Sequence, residues 1–185
     1  MGQLVQYAKA NPGKLNFGSA GIGTTPHMAG ELLKERTGID ATHVPYKGAG
    51  PAMADLAAGQ LQFSFSSITG ALPFIKDGRL RALATSGSKR SNALPDVPTM
   101  IEAGYPGFEV DLWLGIFAPV NTPAPVLGRL NSEINAALKD PAVMAAFAKV
   151  GVEPRGTTRD EGARFVRAEY DKWAQVVTGG KLRQK

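Results

Sequence analysis

Ser19-Ala20-Gly21-Ile22-Gly23-Thr24-Thr25-Pro26-His27 is the stretch on which the fold of this chain turns. Before it, Leu15-Asn16-Phe17-Gly18 alternates in polarity and predicts a short strand. After it, Met28, Ala29, Leu32 and Leu33 form an apolar face at helical spacing, which Gly38 ends. Pro26 suits a first helical turn behind a threonine cap. The stretch is therefore a strand-to-helix turn built of glycines and hydroxyls. Gly21 and Gly23 would let the backbone come close to whatever the turn faces.

The same unit recurs on either side. Leu4, Val5, Tyr7 and Ala8 have helical spacing, and Asn11-Pro12-Gly13 stops that helix. Ala41 to Pro45 predicts a strand, Lys47 to Gly50 a loop, and Pro51 to Ala58 a helix. Leu61 to Phe65 and Leu80 to Ala84 predict further strands, with a helix from Ile68 to Lys76 between them. Strands alternating with helices over short connections predict an α/β fold with a parallel sheet. The pattern changes after the proline-punctuated segment 89–98. Val110 to Ala118 predicts a long apolar strand carrying Trp113 and Phe117. Helices follow over Val126 to Leu138, Pro141 to Val150 and Glu161 to Val177. The boundary falls near residues 108–112. It gives an α/β lobe over 1–110 and a largely helical, incomplete unit over 111–185.

With 185 residues, 43% of them apolar, the chain has material for one good core or two small ones. It has no cysteine, which excludes disulfides, thiolate nucleophiles and cysteine-based zinc sites. The net charge of +5 is spread along the chain and not clustered with aromatics, so no nucleic-acid partner is expected. No apolar run approaches the roughly 20 residues of a membrane span. Met1-Gly2-Gln3 leads into a polar segment, so no signal peptide is expected in this chain as written. Its opening inside a helix predicts that an N-terminal part is missing.

In an open parallel sheet, ligands bind beyond the carboxyl ends of the strands. Four loops are expected there: 19–25, 46–50, 66–67 and 85–87. They hold hydroxyls, glycines and amides, and no carboxylate. Neutral donors at helix N-termini suit an anion. The candidate ligand-binding residues are Ser19, Ala20, Gly21, Gly23, Thr24, Thr25, His27, Tyr46 and Ser66. A plain capped turn explains the same pattern, and the residues alone leave both readings open. The stretch is neither a P-loop nor a dinucleotide fingerprint. His43, within a strand, reads as a packed or edge residue. Neither a metal site nor a cofactor is expected, because the two histidines lack acidic partners at ligand spacing. Catalysis by His27 as a base has little support, since no carboxylate near it in sequence would orient it.

Beyond this loop, the chain resembles the Bug family, the TctC-type receptors of tripartite tricarboxylate transporters. The resemblance is carried in order by 18–27, His43-Val44-Pro45-Tyr46-Lys47-Gly48, Ala71-Leu72-Pro73, 78–84, 94–99, Glu102-Ala103-Gly104 and 113–119. It implies a periplasmic-binding-protein-like (type II) lobe plus part of a second lobe, and non-catalytic binding of a small carboxylate or dicarboxylate. It also implies a periplasmic location and membrane transporter subunits as partners. In such receptors a loop like 19–27 holds one carboxylate, and a matching loop of the other domain completes the grip. Residues 1–110 would be most of the second domain, and 111–185 the returning part of the first. Ser66-Ser67 departs from the acidic-then-polar pair of many members, so a ligand without an amino group is expected. A lobe lacking part of its sheet would expose apolar faces, so a homodimer, or a self-associating fragment with weak binding, is the alternative expectation.

Overall fold

The computed structural model describes residues 1–179. They form two compact units, Met1–Trp113 and a second beginning at Leu114. In the first, helix α1 (Gly2–Ala10) turns Val5 and Ala8 inward. Strand β1 (Leu15–Ser19) lies at the centre of a parallel sheet of order β2-β1-β3, between β2 (Ala41–Pro45) and β3 (Phe63–Ser64). Its central place explains why four of its five residues are buried. Helices α2 (Thr25–Thr37), α3 (Ala49–Ala57) and α4 (Ile68–Lys76) each follow a strand.

Two glycines set how closely the helices approach. Phe17 and Gly18 point to opposite faces of the sheet. On one face α2 places Gly30 against the Phe17 ring, so close that a Cβ there would lie 2.1 Å from Cε2. On the other, a Cβ on Gly18 would lie 2.4 Å from Leu61 Cδ1 and 3.6 Å from Ala52 Cβ of α3. Phe17 also pairs in register with His43 and Phe63, and its ring centroid lies 4.9 Å and 5.4 Å from theirs. The core is thus an aromatic row along the sheet, covered by a helix with no side chain at the contact.

Three strand expectations need correction. The segment 61–65 forms a ladder only at Phe63–Ser64. Leu80 to Ala84 forms no ladder, and the chain pairs only through an isolated parallel bridge between Thr85 and Thr99. Val110 to Ala118 is not a strand either. The Val110 amide donates to Ser86 O at 2.9 Å, and beyond it Leu114 and Ile116 are 92% and 79% exposed. Alternation and apolarity favour extended backbone, but a strand needs a neighbour along its length, and among the described residues these segments form no ladder with one.

The second unit contains α5 (Ala124–Ala137), α6 (Pro141–Lys149) and α7 (Arg159–Gly179). Asp140 caps α6 by accepting from the amides of Ala142 and Val143. Thr158 and Glu161 form a reciprocal capping box at the start of α7. The Thr158 amide holds the Glu161 carboxyl below its ordinary pKa. Asn131 and Asn135 both donate to Thr157 O at 3.0 Å, tying α5 to the approach to α7. None of the described residues of this unit is fully buried. The expected inward-facing Val177 lies outside the residues whose side chains are described.

The two kinds of helical glycine should behave oppositely. Gly30→Ala should cost about 1–3 kcal/mol by overpacking against Phe17. Gly128→Ala, in α5 with nothing within 4 Å of its added Cβ, should stabilise by about 0.5–1 kcal/mol. Urea unfolding of both variants checks the pair. A neutral Gly30→Ala would refute the close approach of α2.

Candidate ligand-binding site

Because the three strands are parallel, the loops that leave them lie at one edge of the sheet. Each leads directly into a helix, whose N-caps are Thr24 for α2, Gly48 for α3 and Ser67 for α4. The loops are bonded side by side. The Tyr46 amide donates to Ser19 O at 3.0 Å and the Gly48 amide to Ala20 O at 3.2 Å, which carries the β1–β2 ladder past the strand ends. Ser64 Oγ donates to Gly18 O at 2.8 Å from the other side. Three helix N-termini thus share one edge, each presenting the positive end of its dipole.

Within the 19–25 loop the hydroxyls divide by what they already bond. Ser19 is 1% exposed, and its Oγ accepts the Gly21 amide at 3.1 Å. The same Oγ lies 3.0 Å from Gly21 O and 2.7 Å from His43 Nε2. Thr24 Oγ1 donates back to Gly21 O at 2.7 Å, so Thr24 closes the turn and makes no side-chain cap. Both hydroxyls are committed to the shape of the loop. The hydroxyls of Thr25 and Ser66 are half-buried and make no hydrogen bond to any described residue. Nor do the amides of Ile22, Thr25 and His27. Gly21 and Gly23 have φ of 134° and 78°, which side-chain-bearing residues rarely adopt. Ala20 is half-buried between them and the strand.

Beneath the loop lie two stacked imidazoles. The rings of His27 and His43 are 4.1 Å apart between centroids and tilted by 32°. His27 Nδ1 accepts the Gly23 amide at 3.1 Å. Burial, above all, pushes the His43 pKa down to about 4, and the charge that His27 would carry pushes the same way. Burial also lowers His27, against the opposing pull of Glu31. Both rings are therefore neutral near pH 7. Tyr46 donates from its hydroxyl to Asp55 Oδ2 at 2.7 Å, and that bond raises the phenol pKa.

The structure adds three things to the sequence reading. His43, read there as a packed or edge residue, also bonds the loop serine. Glu31 lies one helical turn beyond His27 and acts on it electrostatically, so a carboxylate does stand near that histidine in sequence. It is paired with Lys34 at 3.0 Å. In the fourth loop, Asp111 Oδ1 would lie 3.1 Å from a Cβ on Gly87, so an acid approaches that loop from a distant segment. Thr85 Oγ1 there is buried without a hydrogen-bond partner. The second unit, taken by itself, carries an apolar groove on α5 along Pro125, Val126 and Leu130, flanked by Arg129 and Glu133. Among the described residues no three metal-ligating side chains cluster, and no helix is long and apolar enough to cross a membrane.

The first unit therefore gathers amides and hydroxyls along one edge of a parallel sheet, and comparisons with known proteins place the chain in a family. The chain belongs to the family described as the tripartite tricarboxylate transporter family receptor (TctC), whose family model matches residues 1–182. Protein BugT of Bordetella pertussis is 40% identical over 182 residues, 97% of this chain and 56% of its own length. The solved structure of R. palustris Rpa4515 with adipate superposes with a TM-score of 0.90 at 34% identity, over 96% of this chain and 60% of that one. MatC from Rhodopseudomonas palustris with bound malate gives a TM-score of 0.84 at 33% identity, over 96% and 61%. The solved structure of periplasmic binding protein BugD gives a TM-score of 0.86 at 34% identity, over 97% and 60%, in agreement with the expected fold class. The chain spans about half the length of most curated relatives it matches, 54% and 56% for two of them.

The imidazoles give the fold a pH dependence with a definite sign. Their pKa values are lower folded than unfolded, so the unfolded chain binds more protons between pH 6.5 and about 4. The stabilisation they contribute is full above 6.5 and is lost as pH falls towards 4. The urea midpoint at pH 5 should lie below that at pH 7, and the gap should shrink in His43→Gln. An equal gap in that variant would refute the assignment.

Proposed function

We propose that this chain is the carboxylate-gripping lobe of a non-catalytic solute receptor serving a tripartite tricarboxylate-type transporter. The observation that carries the reading is the set of unpaired donors at one sheet edge. These are the amides of Ile22, Thr25 and His27 and the hydroxyls of Thr25 and Ser66, with three helix N-termini behind them. A carboxylate is the ligand such donors suit, and each charge-assisted bond contributes about 1.5–3 kcal/mol. Ser19, Thr24, Gly21 and Gly23 shape the grip, and Ala20 and Tyr46 tie it to β2. Adipate and malate in the two solved neighbours support a dicarboxylate as the solute. By its family the proposed compartment is the periplasm and the proposed partners are membrane transporter subunits. Residues 1–110 correspond in this reading to the family's second domain, and 111–185 to the returning part of its first.

Titration calorimetry with adipate and malate tests the grip. Thr25→Phe should weaken binding by at least about tenfold, through loss of one charge-assisted bond and obstruction of the loop. Unchanged affinity would remove the loop from the site. Because Ser66 offers a neutral hydroxyl and no carboxylate to an amino group, malate should bind more tightly than aspartate. The reverse order would overturn the role given to Ser66.

A second reading rests on the exposed apolar side chains after Trp113, among them Leu114 at 92% and Val120 at 96%. Such patches drive association, and the reading makes the chain a self-associating fragment with weak binding. Light scattering across a concentration series separates the two, since a monomer that binds adipate excludes the second.

A further inference from the structure

The two imidazoles under the loop have no part in the grip described above. His27 is 9% exposed, and its Nδ1 is already taken by the Gly23 amide. His43 stands opposite Phe17 in the ladder, two residues before the point where Ser19 pairs. On a sheet face, residues two apart along neighbouring strands are diagonal neighbours. That relation brings His43 Nε2 to 2.7 Å from Ser19 Oγ, which in turn takes the Gly21 amide at 3.1 Å. Each imidazole therefore ends on one glycine of the loop.

Those glycines need an external hold. With φ of 134° and 78° they sit where a side chain would be strained, and without one they are free to leave. A loop that has to be ordered by its ligand binds more weakly than one ordered beforehand.

We propose that His43 and His27 are positioning residues of the anion grip, His43 holding Gly21 through the Ser19 hydroxyl and His27 holding Gly23 directly, and that His27 holds only as a neutral ring. The effect on ligand affinity rests on the carboxylate reading of the loop, whereas the hold on the glycines is a matter of geometry alone. An Nδ1 that accepts an N–H has its lone pair there, so neutral His27 carries its proton on Nε2. A second proton would have to enter at Nδ1 and would set a donor against the Gly23 amide. The charged groups that face the pair come from α2: Glu31 and Lys34 act on both rings, and the charge His27 would carry opposes one on His43. Glu31 is bonded to Lys34 at 3.0 Å, which offsets the support it would give an imidazolium. Two charged rings 4.1 Å apart would repel each other.

The test is nuclear magnetic resonance on the 15N-labelled 185-residue chain from pH 7.5 to 4. His27 should appear as the Nε2–H tautomer at pH 7.5. The amide signals of Gly21 and Gly23 should move with the imidazole titrations, at midpoints below the ordinary 6.5. Gly38 and Gly59, at distant helix ends, should stay in place. His43→Gln keeps a neutral hydrogen-bonding group, so it should preserve the Gly21 amide at pH 7.5 and remove from its signal the step that follows the His43 titration. His43→Phe keeps a ring against Phe17 without the bond, and should speed Gly21 amide exchange about tenfold, the loss of one hydrogen bond. Ser19→Ala should do the same and replaces His43→Phe if that variant does not fold. With adipate as the probe, the bond-breaking variant should bind about tenfold more weakly at pH 7.5 and His43→Gln within about twofold of the parent. An Nδ1–H tautomer at His27, or glycine amides indifferent to both pH and His43→Phe, would overturn the proposal. Absence of adipate binding by the parent chain would sink the carboxylate reading, and the glycine amides would still decide the hold.

Discussion

The parallel ladder through β1 is the constraint on which the first unit depends. Five residues of β1 pair with β2 and two with β3, and the pairing does not stop where the strands do. The amides of Tyr46 and Gly48 carry it on to Ser19 and Ala20. The place of Gly21 is therefore fixed by the same register that sets Phe17 between His43 and Phe63. Phe17 is in turn held by α2, which comes close only because Gly30 has no Cβ. A disturbance in the core would thus be felt at the loop through a chain of bonded or touching groups.

The electrostatics follow from the topology. Parallel strands each followed by a helix deliver three helix N-termini to one edge, equivalent to roughly half a positive charge apiece. Two acids close by in sequence are engaged elsewhere: Asp55 accepts from Tyr46 and Glu31 pairs with Lys34. The edge is therefore positive through its backbone dipoles, with the exposed Lys47 in its 46–50 loop. Backbone dipoles cannot rotate away as a lysine can, so the direction of these donors is fixed, provided the loop backbone is held. The near-neutral state of His27 and His43 matters here for shape and not for charge.

What the sequence showed, and what it hid, divides along physical lines. The strand–turn–helix unit at 15–37 is a local pattern, and its glycines, its proline and its alternation are all local signals. The helices α5 and α6 were legible for the same reason, to within two residues at either end. The strands at 80–84 and 110–118 were misread because strand formation is decided by a partner that periodicity does not reveal. The role of His43 was hidden likewise. It is 24 residues from Ser19 in sequence, and only the register of the ladder makes them diagonal neighbours. Ser19 and Thr24 stand in the sequence as candidate ligand-binding hydroxyls. That their bonds turn inward, leaving Thr25 and Ser66 open, depends on where Gly21 O points, and no spacing rule gives that.

The glycines join these levels. A side chain at Gly21 would meet Tyr46 O at 3.4 Å, and one at Gly23 would meet nothing. An ordinary contact and an empty space both tolerate a Cβ, so Gly21 and Gly23 are demanded by φ alone. A glycine kept only for φ leaves the backbone able to move, so whatever fixes it must lie outside the residue. At Gly23 that support is a single nitrogen of a buried histidine. A hydroxyl in that place could also have accepted the amide, and it would have done so at every pH. An imidazole accepts only while unprotonated, so the choice of acceptor couples the shape of the loop to the proton activity around it.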